Sequence, residues 1–498
     1  MLNFSQYTSQ KLLKPVCSAH NPCNFIKKTK QDIMEREIKG GFRTINPHTE
    51  KEIATYTYFT ESEVNDAIDN CHEAFLEWKE KSLDERATII KNIGKELKNH
   101  KEQLVQLMTD EMGKVVTQGG SEIDLCIAIT EYTAANAGKE LEPIERELPN
   151  GGKGIITYSP EGVIYSIQPW NFPTYQPLRV VITNLMAGNG VLLKHAQNVT
   201  GSALLVEEVL RKAGVPEGLF KVLVIDHSQS NDVIKNDRVR GVTFTGSSAG
   251  GRKVAEKAGA AIKKTVLELG SNDAYLVLDN ADIEKAVEAC VQGRLINNGE
   301  TCIAAKRFVV VDKVYDAFKE GFVQGMKDAV MGDPNNEETQ LGPIAREDLR
   351  DLLAEQVKES VEKGAVIEVG GEVPDNTGFY YPSTVLSNVE PGQPAYDDEL
   401  FGPVASLIRA KDNEDAMRIA NDSRFGLGGG IFSKDEKAAI ELAQKHFDTG
   451  MVFVNSYGLA QPMMPFGGVK DSGYGREHGG FGLKEFVNAK SVMLVEES

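Results

Sequence analysis

The sequence contains few cysteines, and their spacing excludes two common uses of that residue. Six are scattered over 498 residues, with no CxxC pair and no Cys/His cluster of zinc-ligand spacing. So sparse a set does not form a disulfide framework, and it indicates a reducing compartment. Cys17, His20 and Cys23 lie close in sequence, but three candidate ligands in an N-terminal tail make a poor zinc site. No metal is therefore predicted.

Long hydrophobic runs and an excess of basic charge are also missing. No stretch approaches the roughly 18 consecutive apolar residues of a transmembrane helix. The chain carries 55 Lys and Arg against 73 Asp and Glu, a net charge of −18. Nucleic-acid and membrane surfaces need clustered cations, so neither kind of partner is expected. With 41% hydrophobic residues and no low-complexity tract, the protein is expected to be soluble, multi-domain and cytoplasmic.

Residues 1–33 differ in charge from the rest of the chain. They hold five lysines against the single acid Asp32, a local charge of +4. The segment contains no Arg and no amphipathic stripe, so we expect a disordered tail, or an upstream extension with Met34 as the working start. A mitochondrial presequence is the alternative, because the segment contains Ser and Lys and is poor in acids.

The order of hydrophobic patterns predicts an α/β fold. Between residues 61 and 145 apolar residues recur three and four apart, as they do in amphipathic helices. From residue 151 short β-rich runs alternate with helical patterns, and a second such set spans residues 306–460. This alternation is typical of parallel sheets covered by helices. We therefore expect two α/β domains that bind ligands at the carboxyl ends of their strands.

The GxGxxG fingerprint of many dinucleotide-binding proteins is absent, and a different strand-to-helix turn stands in its place. The run Phe244–Gly251 (FTGSSAGG) follows one predicted strand and opens a helix. Its small residues and unpaired helix-start N–H groups form a candidate phosphate seat, although such turns are often only structural. Lys194 ends another apolar strand, where it is either solvated or within reach of a ribose or phosphate.

Three residues stand out as candidates for catalysis. Cys302 follows a helix that breaks at Asn297–Gly299; a cysteine there is a candidate reactive thiol, and otherwise a small buried hydrophobe. Glu268 interrupts an apolar strand, where burial favours a general base unless the residue forms an edge salt bridge. Asn171 lies within Pro169–Pro173, which either aims its amide at an oxyanion or forms a rigid turn.

Seven short motifs follow one another along the chain. They are PWNFP (169–173), LLKHA (192–196), FTGSxxxG (244–251), LELG (267–270), GETC (299–302), ELFGPV (399–404) and PFGGVKDSG (465–473). Together they resemble the aldehyde dehydrogenase superfamily, closest to the succinate-semialdehyde dehydrogenase group in its short bacterial-type branch. Each motif alone is modest, but the series runs in register from about residue 42 to 495, which makes the resemblance specific.

The resemblance implies an NAD(P)-dependent enzyme that oxidises an aldehyde through a cysteine. Cys302 would form a thiohemiacetal whose oxyanion is held by Asn171 and the Cys302 N–H. Glu268 would activate the water that hydrolyses the resulting thioester. The implied cofactor contacts are Lys194 (adenosine ribose), Gly246 and Ser247 (pyrophosphate), Glu399 (nicotinamide ribose), Phe401 (nicotinamide), and in addition Trp170, Gln197 and Gly251.

The resemblance also implies the architecture, with two Rossmann-like parallel-sheet domains and a small β hairpin for oligomerisation. The NAD(P)-binding domain would comprise residues 34–142 and 163–269, and the catalytic domain residues 270–470. Residues 143–162 and 471–498 would form the oligomerisation element, which implies a homodimer or homotetramer.

Two positions depart from the family pattern. Strictly NAD-using relatives often carry an acidic residue three after the lysine, but this chain has Gln197, so use of both NAD and NADP is predicted. Arg179 matches an arginine that relatives use on the succinate-semialdehyde carboxylate, yet the second arginine, six residues before the nucleophile, is Ile296 here. Arg294 lies two residues from that position and is not relied on. A shorter or different semialdehyde therefore stays open as the substrate.

Two other functions are weighed against the hydrolytic dehydrogenase. A CoA-acylating member of the family commonly lacks the base that Glu268 would provide. A non-enzymatic descendant would have no physical reason to keep Cys302, Asn171, Glu268 and Lys194. Since a fold alone does not specify a function, these named residues decide the preference for a dehydrogenase.

Overall fold

The computed structural model describes residues 37–38 and 40–494. The predictions for residues 1–33, including the cluster of Cys17, His20 and Cys23, therefore lie outside the described residues. The described chain opens with a three-stranded antiparallel sheet of β1 (Glu37–Ile38), β2 (Gly41–Ile45) and β3 (Glu52–Thr57). No helix among the described residues is both long and apolar enough to cross a membrane.

Four helices follow, and side chains cap the first two. They are α1 (Glu61–Trp78), α2 (Leu83–Asn99), α3 (Lys101–Met112) and α4 (Val116–Glu140). Thr60 and Ser82 each accept a hydrogen bond from the N–H three residues on, while the carboxylates of Glu63 and Glu85 accept from the cap N–H groups. These reciprocal bonds pair donors that a helix start leaves free. The buried face of α1 is formed by Val64, Ala67, Ile68, Cys71, Phe75 and Trp78.

The first large sheet has six strands in the order β20-β10-β9-β6-β7-β8. They are β6 (Val163–Gln168), β7 (Gly190–His195), β8 (Phe220–Val222), β9 (Val239–Thr245), β10 (Lys264–Glu268) and β20 (Gly473–Tyr474). All neighbours run parallel except β20, which is antiparallel to β10. Four helices accompany this sheet: α5 (Tyr175–Ala187), α6 (Thr200–Lys212), α7 (His227–Lys235) and α8 (Ser248–Ala260). The strand order reverses at β6, and such a switch point is where open α/β sheets bind ligands.

The second large sheet has seven strands in the order β13-β14-β15-β12-β11-β17-β18. They are β11 (Ala274–Val277), β12 (Arg307–Val311), β13 (Val366–Val369), β14 (Thr384–Ser387), β15 (Val404–Ala410), β17 (Gly429–Phe432) and β18 (Phe453–Val454). Only β13 is antiparallel to its neighbour. Its helices are α9 (Ile283–Leu295), α10 (Asp312–Lys327), α11 (Glu347–Glu362), α12 (Pro394–Asp397), α13 (Asn413–Asn421) and α14 (Glu436–His446). Apolar clusters pack on both faces, with Leu276 on one and its neighbour Tyr275 on the other, as the alternation of a strand requires.

A small antiparallel sheet completes the described chain. It contains β4 (Ile144–Glu147), β5 (Lys153–Pro160) and β21 (Val487–Leu494) in the order β21-β5-β4. The remaining elements are the pair of β16 (Phe425–Gly426) with β19 (Val469–Lys470), and the short helix α15 (Phe481–Glu485). The predicted α/β fold with two parallel sheets is confirmed, whereas the domain boundaries stay a prediction. Within the segment 471–498, assigned to oligomerisation, Gly473–Tyr474 instead extends the first large sheet.

One strand is shorter than its sequence pattern indicated. The apolar run Phe220–Ile225 predicts a strand over its whole length, but β8 ends at Val222. The N–H of Leu223 still donates to the Leu193 carbonyl at 2.7 Å, after which the Val224 carbonyl accepts from the Phe59 N–H at 2.8 Å. A segment from outside the sheet thus pairs the backbone where the strand was expected to continue.

The chain turns sharply after α9, at the place predicted from the sequence. Asn297, Asn298 and Gly299 all have left-handed backbone, with φ angles of 55°, 57° and 75°. The Asn298 side chain holds the turn, because its Nδ2 donates to the Gly113 carbonyl at 3.0 Å. A β-carbon on Gly299 would lie 2.3 Å from the carbonyl of Gly402. The loop that follows is therefore held by residues distant in sequence.

We expect Gly299→Ala to destabilise the protein by about 2–3 kcal/mol, because its β-carbon would meet Gly402 on left-handed backbone. Chemical denaturation followed by circular dichroism measures the loss. Gly214→Ala is the matched control: Gly214 has φ of +95°, but nothing lies within 4 Å of an added β-carbon. That variant should be destabilised only by the strain of its left-handed backbone, which is roughly 1–2 kcal/mol. Equal losses in the two variants would contradict the close approach at Gly402.

Candidate active site

The three catalytic candidates come from both large sheets. Asn171 lies in the loop between β6 and α5, Glu268 ends β10, and Cys302 lies between α9 and β12. A segment near the C-terminus passes between the last two. Cys302 packs against a cluster that contains Phe466, and a β-carbon on the next residue, Gly467, would lie 2.8 Å from Oε1 of Glu268. The fold thus brings the candidates into one region.

The Asn171 amide is aimed at the backbone just before Cys302. Its Nδ2 donates to the Glu300 carbonyl at 3.0 Å. Its Oδ1 accepts from Gln176 Nε2 at 3.4 Å, which assigns the donor end of the amide from the network. Asn297 Nδ2 donates to the carbonyls of both Asn171 and Glu300, at 2.8 and 3.0 Å. The predicted oxyanion donor therefore touches the nucleophile loop directly.

Cys302 has a partly buried thiol and an unpaired backbone N–H. No acceptor faces this N–H among the residues that the structure describes. Burial raises the pKa of the Cys302 thiol to about 12, and the positive charges of Arg179 and Lys306 offset burial only in part. The thiol is therefore protonated at neutral pH in the cofactor-free chain, while its N–H remains available as a donor.

Glu268 is a buried carboxylate without a hydrogen-bond partner. Only 2% of the residue is exposed, and neither carboxylate oxygen accepts a hydrogen bond in the described structure. Burial, reinforced by the negative charge of Glu477, raises the pKa of Glu268 well above its ordinary value. The alternative of an exposed salt bridge at a sheet edge is thus wrong. A carboxyl group in this environment has the proton affinity that a general base needs.

Arg179 is buried, and its charge is already paired. Its Nε forms an ion pair with Glu477, and its Nη2 donates to Thr245 Oγ1 at 2.9 Å. The guanidinium also lies 5.0 Å from the ring centre of Phe466. Its Nη1 is buried and has no hydrogen-bond partner among the described residues. The ion pair was not anticipated from the sequence, and the substrate contact of Arg179 stays a prediction.

Lys194 ends β7 as a buried ammonium without a partner. The residue is 7% exposed, and its Nζ forms neither a hydrogen bond nor an ion pair within the described residues. Burial lowers the pKa of Lys194, whereas the negative charge of Asp226 opposes that shift. Gln197 follows in a short 3-10 helix and donates from Nε2 to the Tyr58 hydroxyl at 2.7 Å. An unpaired cation beside a neutral amide fits a site for an anion.

The start of α8 supplies further donors for an anion. Ser247 caps this helix through its Oγ, which accepts from the N–H three residues on at 3.1 Å. The N–H groups of Gly246 and Gly251 donate to backbone carbonyls at 3.0 and 2.9 Å. Those of Ser248 and Ala249 have no acceptor within the described chain. Of the residues that the resemblance implies for the pyrophosphate, Gly246 has its N–H paired, whereas the Ser247 N–H, like those of Ser248 and Ala249, has no acceptor within the described chain.

Two aromatic residues that are predicted to contact the cofactor lie against each other. Trp170 and Phe401 meet edge to face, with ring centres 5.8 Å apart at 82°. Glu399 accepts from the Ser271 N–H at 3.0 Å through Oε1. A β-carbon on Gly270 would lie 2.5 Å from the other carboxylate oxygen of Glu399, so glycine is needed there. The aromatic side chains can pack against a nicotinamide ring, and the carboxylate can accept a hydrogen bond from a ribose hydroxyl.

These features fit a dinucleotide rather than a metal. The buried ammonium of Lys194 and the open amides of α8 are donors for phosphate, and Glu399 is an acceptor for a sugar hydroxyl. Lys194 and the start of α8 lie at the carboxyl ends of parallel strands, as expected for such a ligand. No group of three or more His, Cys, Asp or Glu in the described residues could hold a metal ion.

A cavity of about 620 Å³ lies beside the nucleophile loop. Phe172, the neighbour of Asn171, lines it together with Ile296, the position that lacks the second arginine. Arg294 does not line the cavity; it is fully buried, and its Nη2 donates to the Gly299 carbonyl at 2.6 Å. Arg294 therefore does not replace the missing charge.

Several polar residues of the site were not identified from the sequence. Asn297 and Lys306 could have been recognised from the sequence, because each is a polar residue that borders an apolar segment and lies close to Cys302. Glu477 could not have been recognised in this way, since its partner Arg179 lies in a distant part of the chain. Gln176 lies only five residues from its partner Asn171, but it was not recognised from the sequence.

Comparison with known proteins matches nearly the whole chain. The family model described as the aldehyde dehydrogenase family matches residues 33–492. The chain is 42% identical to the succinate semialdehyde dehydrogenase (NAD(P)+) of Escherichia coli strain K12, over 90% of this chain and 97% of that protein. It is 40% identical to the succinate-semialdehyde dehydrogenase (NADP(+)) of Deinococcus radiodurans, over 91% and 94%. The succinic semialdehyde dehydrogenase of Streptococcus pyogenes, solved in complex with NADP+, matches with a TM-score of 0.88 at 37% identity, over 90% and 99%.

These matches cover at least 90% of this chain and at least 94% of each relative, so the resemblance is not confined to one domain. The class is an α/β oxidoreductase built on two parallel sheets. The chain belongs to the aldehyde dehydrogenase family. The family and fold predicted from the seven motifs are thereby confirmed.

The raised pKa of Cys302 predicts how fast the free enzyme is alkylated. Since the thiolate is the reactive form and burial raises its pKa to about 12, the rate with iodoacetamide should rise about tenfold per pH unit from pH 7 to 9, without a plateau. Mass spectrometry of the cofactor-free protein over time measures this rate. The buried thiols Cys71, Cys126 and Cys290 should stay unmodified. A plateau below pH 8 would instead show a thiol of ordinary acidity.

Proposed function

We propose that the protein oxidises succinate semialdehyde to succinate, with NAD or NADP as the hydride acceptor. The observation that carries this proposal is the convergence of the Cys302 thiol, its unpaired N–H and the Asn171 amide, beside a cavity lined by Phe172. The names of the bacterial relatives support the substrate and the cofactors.

In the proposed first step, the Cys302 sulfur bonds to the aldehyde carbon, and the thiol proton ends on the carbonyl oxygen or in solvent. Negative charge develops on that oxygen, where the Cys302 N–H and Asn171 Nδ2 donate to it. Each such donor contributes roughly 3 kcal/mol to the transition state. Nδ2 already lies 3.0 Å from the Glu300 carbonyl of the same loop, so it needs little movement.

The second half of the cycle releases the acid. Bound NAD(P) supplies the acceptor for the hydride of the thiohemiacetal carbon, so that a thioester remains on Cys302. In its ionised form, Glu268 then takes a proton from water, whose oxygen attacks the thioester carbon as the carbon–sulfur bond breaks. The unpaired oxygens and raised pKa of Glu268 support this role. A base for hydrolysis also favours water over CoA as the acceptor, and its retention disfavours a non-enzymatic function.

The cofactor is proposed to bind along the carboxyl ends of the first large sheet. Lys194 would meet the adenosine ribose or its 2′-phosphate, and the amides that start α8 would meet the pyrophosphate. Glu399 would accept from the nicotinamide ribose. Gln197 carries no charge that would repel a 2′-phosphate, which supports use of both NAD and NADP.

The substrate carboxylate is proposed to meet Arg179 through Nη1, the nitrogen without a partner. Two observations favour a second candidate, a neutral or differently sized aldehyde. Glu477 already pairs with the Arg179 guanidinium, and Ile296 adds only apolar surface to the cavity.

Assembly and location are also proposals. β21 lies at the edge of the small sheet, and its final residues Val492, Met493 and Leu494 are 48%, 66% and 67% exposed. An exposed apolar edge strand favours pairing with another chain, which supports a homodimer or homotetramer. Free cysteines throughout the described chain support a reducing, cytoplasmic location.

A panel of aldehydes tests the substrate and the cofactor together. With succinic, glutaric and malonic semialdehydes, butanal and benzaldehyde, kcat/KM should be highest for succinate semialdehyde. It should exceed that of butanal by about 10–100-fold, because a hydrogen bond to a charged group contributes about 1.5–3 kcal/mol. NADH or NADPH formation at 340 nm measures the rates. The two cofactors should differ by well under about 10³-fold. Equal kcat/KM for butanal would favour the second candidate, and strict NAD use would refute the interpretation of Gln197.

The role of Glu268 predicts a separation of the two half-reactions. Glu268→Gln should keep a rapid burst of one NAD(P)H per site but slow steady-state turnover by about 10²–10⁴-fold, since the base acts after hydride transfer. Stopped-flow absorbance resolves the two phases. Cys302→Ala is the matched control and should bind cofactor but show no burst. Wild-type turnover in Glu268→Gln would exclude this residue as the base.

A further inference from the structure

Lys306 is a buried cation that the proposed chemistry leaves without a role. It lies between Cys302 and β12 and is 2% exposed. Its Nζ donates to the Cys302 carbonyl at 2.6 Å and to the Thr301 carbonyl at 3.1 Å, with the Ala304 carbonyl at 3.5 Å. A buried ammonium is costly unless its three donors are paired. Here the pairing groups are the backbone of the nucleophile loop itself.

The contact with Thr301 fixes the direction of the Cys302 N–H. The Thr301 carbonyl and the Cys302 N–H belong to one planar trans peptide, so they point in opposite directions. The Thr301 carbonyl accepts from Lys306 and also from the Ala304 N–H at 3.1 Å, so the Cys302 N–H faces away from the ammonium. This is the same N–H that has no acceptor among the described residues, while the neighbouring Glu300 carbonyl receives the Asn171 amide.

Glu399 holds the ammonium in place from the other side. Its Oε1 lies 3.5 Å from Lys306 Nζ and accepts from the Ser271 N–H at 3.0 Å. Ser271 follows the strand that ends at Glu268. Asp273 and Arg294 are the other charged groups that act on Lys306. Lys306 thus joins the nucleophile loop to the end of the strand that carries Glu268.

We propose that Lys306 is a positioning residue for the oxyanion site. By binding the Thr301 and Cys302 carbonyls against Glu399, it keeps the Cys302 N–H turned toward the oxygen of the reacting aldehyde. The inference rests on the proposed function, because it requires Cys302 as the nucleophile. Lys306 acts through the loop and does not touch the reacting atoms.

The test compares chemistry that needs the oxyanion site with chemistry that does not. In Lys306→Met, the rate constant of the NAD(P)H burst, per titrated site with saturating succinate semialdehyde, should fall about 10²-fold, as when an oxyanion donor is removed. Alkylation of Cys302 by iodoacetamide needs no oxyanion site and should fall by much less. Lys319→Met is the matched control, because Lys319 pairs with Glu368 away from this loop; both its rates should equal those of the wild type.

The outcomes separate three explanations. An unchanged burst rate in Lys306→Met, with only lower thermal stability, would overturn the positioning role. Burst and alkylation rates that fall by the same factor would also overturn it, because the lysine would then act only on thiol acidity. If the methionine variant does not fold, Lys306→Gln decides by the same comparison. No burst in the wild type, or a burst in Cys302→Ala, would instead overturn the proposed function.

Discussion

The hydrogen bond from the Asn171 amide to the Glu300 carbonyl, 3.0 Å long, joins the two halves of the candidate site. Asn171 belongs to a loop of the first large sheet, and Glu300 to a loop of the second. Asn297 strengthens the junction by donating to both carbonyls. Because the same amide is the proposed oxyanion donor, the contact that aligns the two sheets also sets the distance between donor and nucleophile. A shift of one sheet against the other would disturb both at once.

Buried charge is the second constraint on this region. Ions removed from water cost several kcal/mol each unless they are paired, and most here are paired: Arg179 with Glu477, and Lys306 with Glu399. Glu268 has no ion pair, and neither of its oxygens accepts a hydrogen bond in the described structure. Its raised pKa follows from that isolation, since the neutral acid avoids the cost of burying a charge. A carboxyl group with a raised pKa is a stronger base once it is ionised than an ion-paired carboxylate.

The sequence predicted what short-range rules determine and failed where partners are remote. The break at Asn297–Gly299 follows from residue type and spacing, so it was predicted with the fold. The pairing of Arg179 with Glu477 joins residues almost three hundred positions apart, and no periodicity encodes it. The free amides at the start of α8 were predicted as a group, because every helix start leaves N–H groups without intrahelical partners. Residue roles inferred from the family resemblance stay predictions.

The net charge of −18 opposes the binding of an anionic dinucleotide, so attraction must arise at contact distance. Salt screens the general field beyond about 8 Å, whereas an ammonium in a poorly hydrated site interacts strongly with a phosphate. Lys194 has this position, since it is 7% exposed and unpaired. The same burial disfavours its charge in the free protein, and Asp226 offsets that effect. A bound anion would stabilise the charged form of Lys194 and offset the remaining free-energy cost of burying it. Part of the attraction for the dinucleotide is therefore already present in the cofactor-free fold.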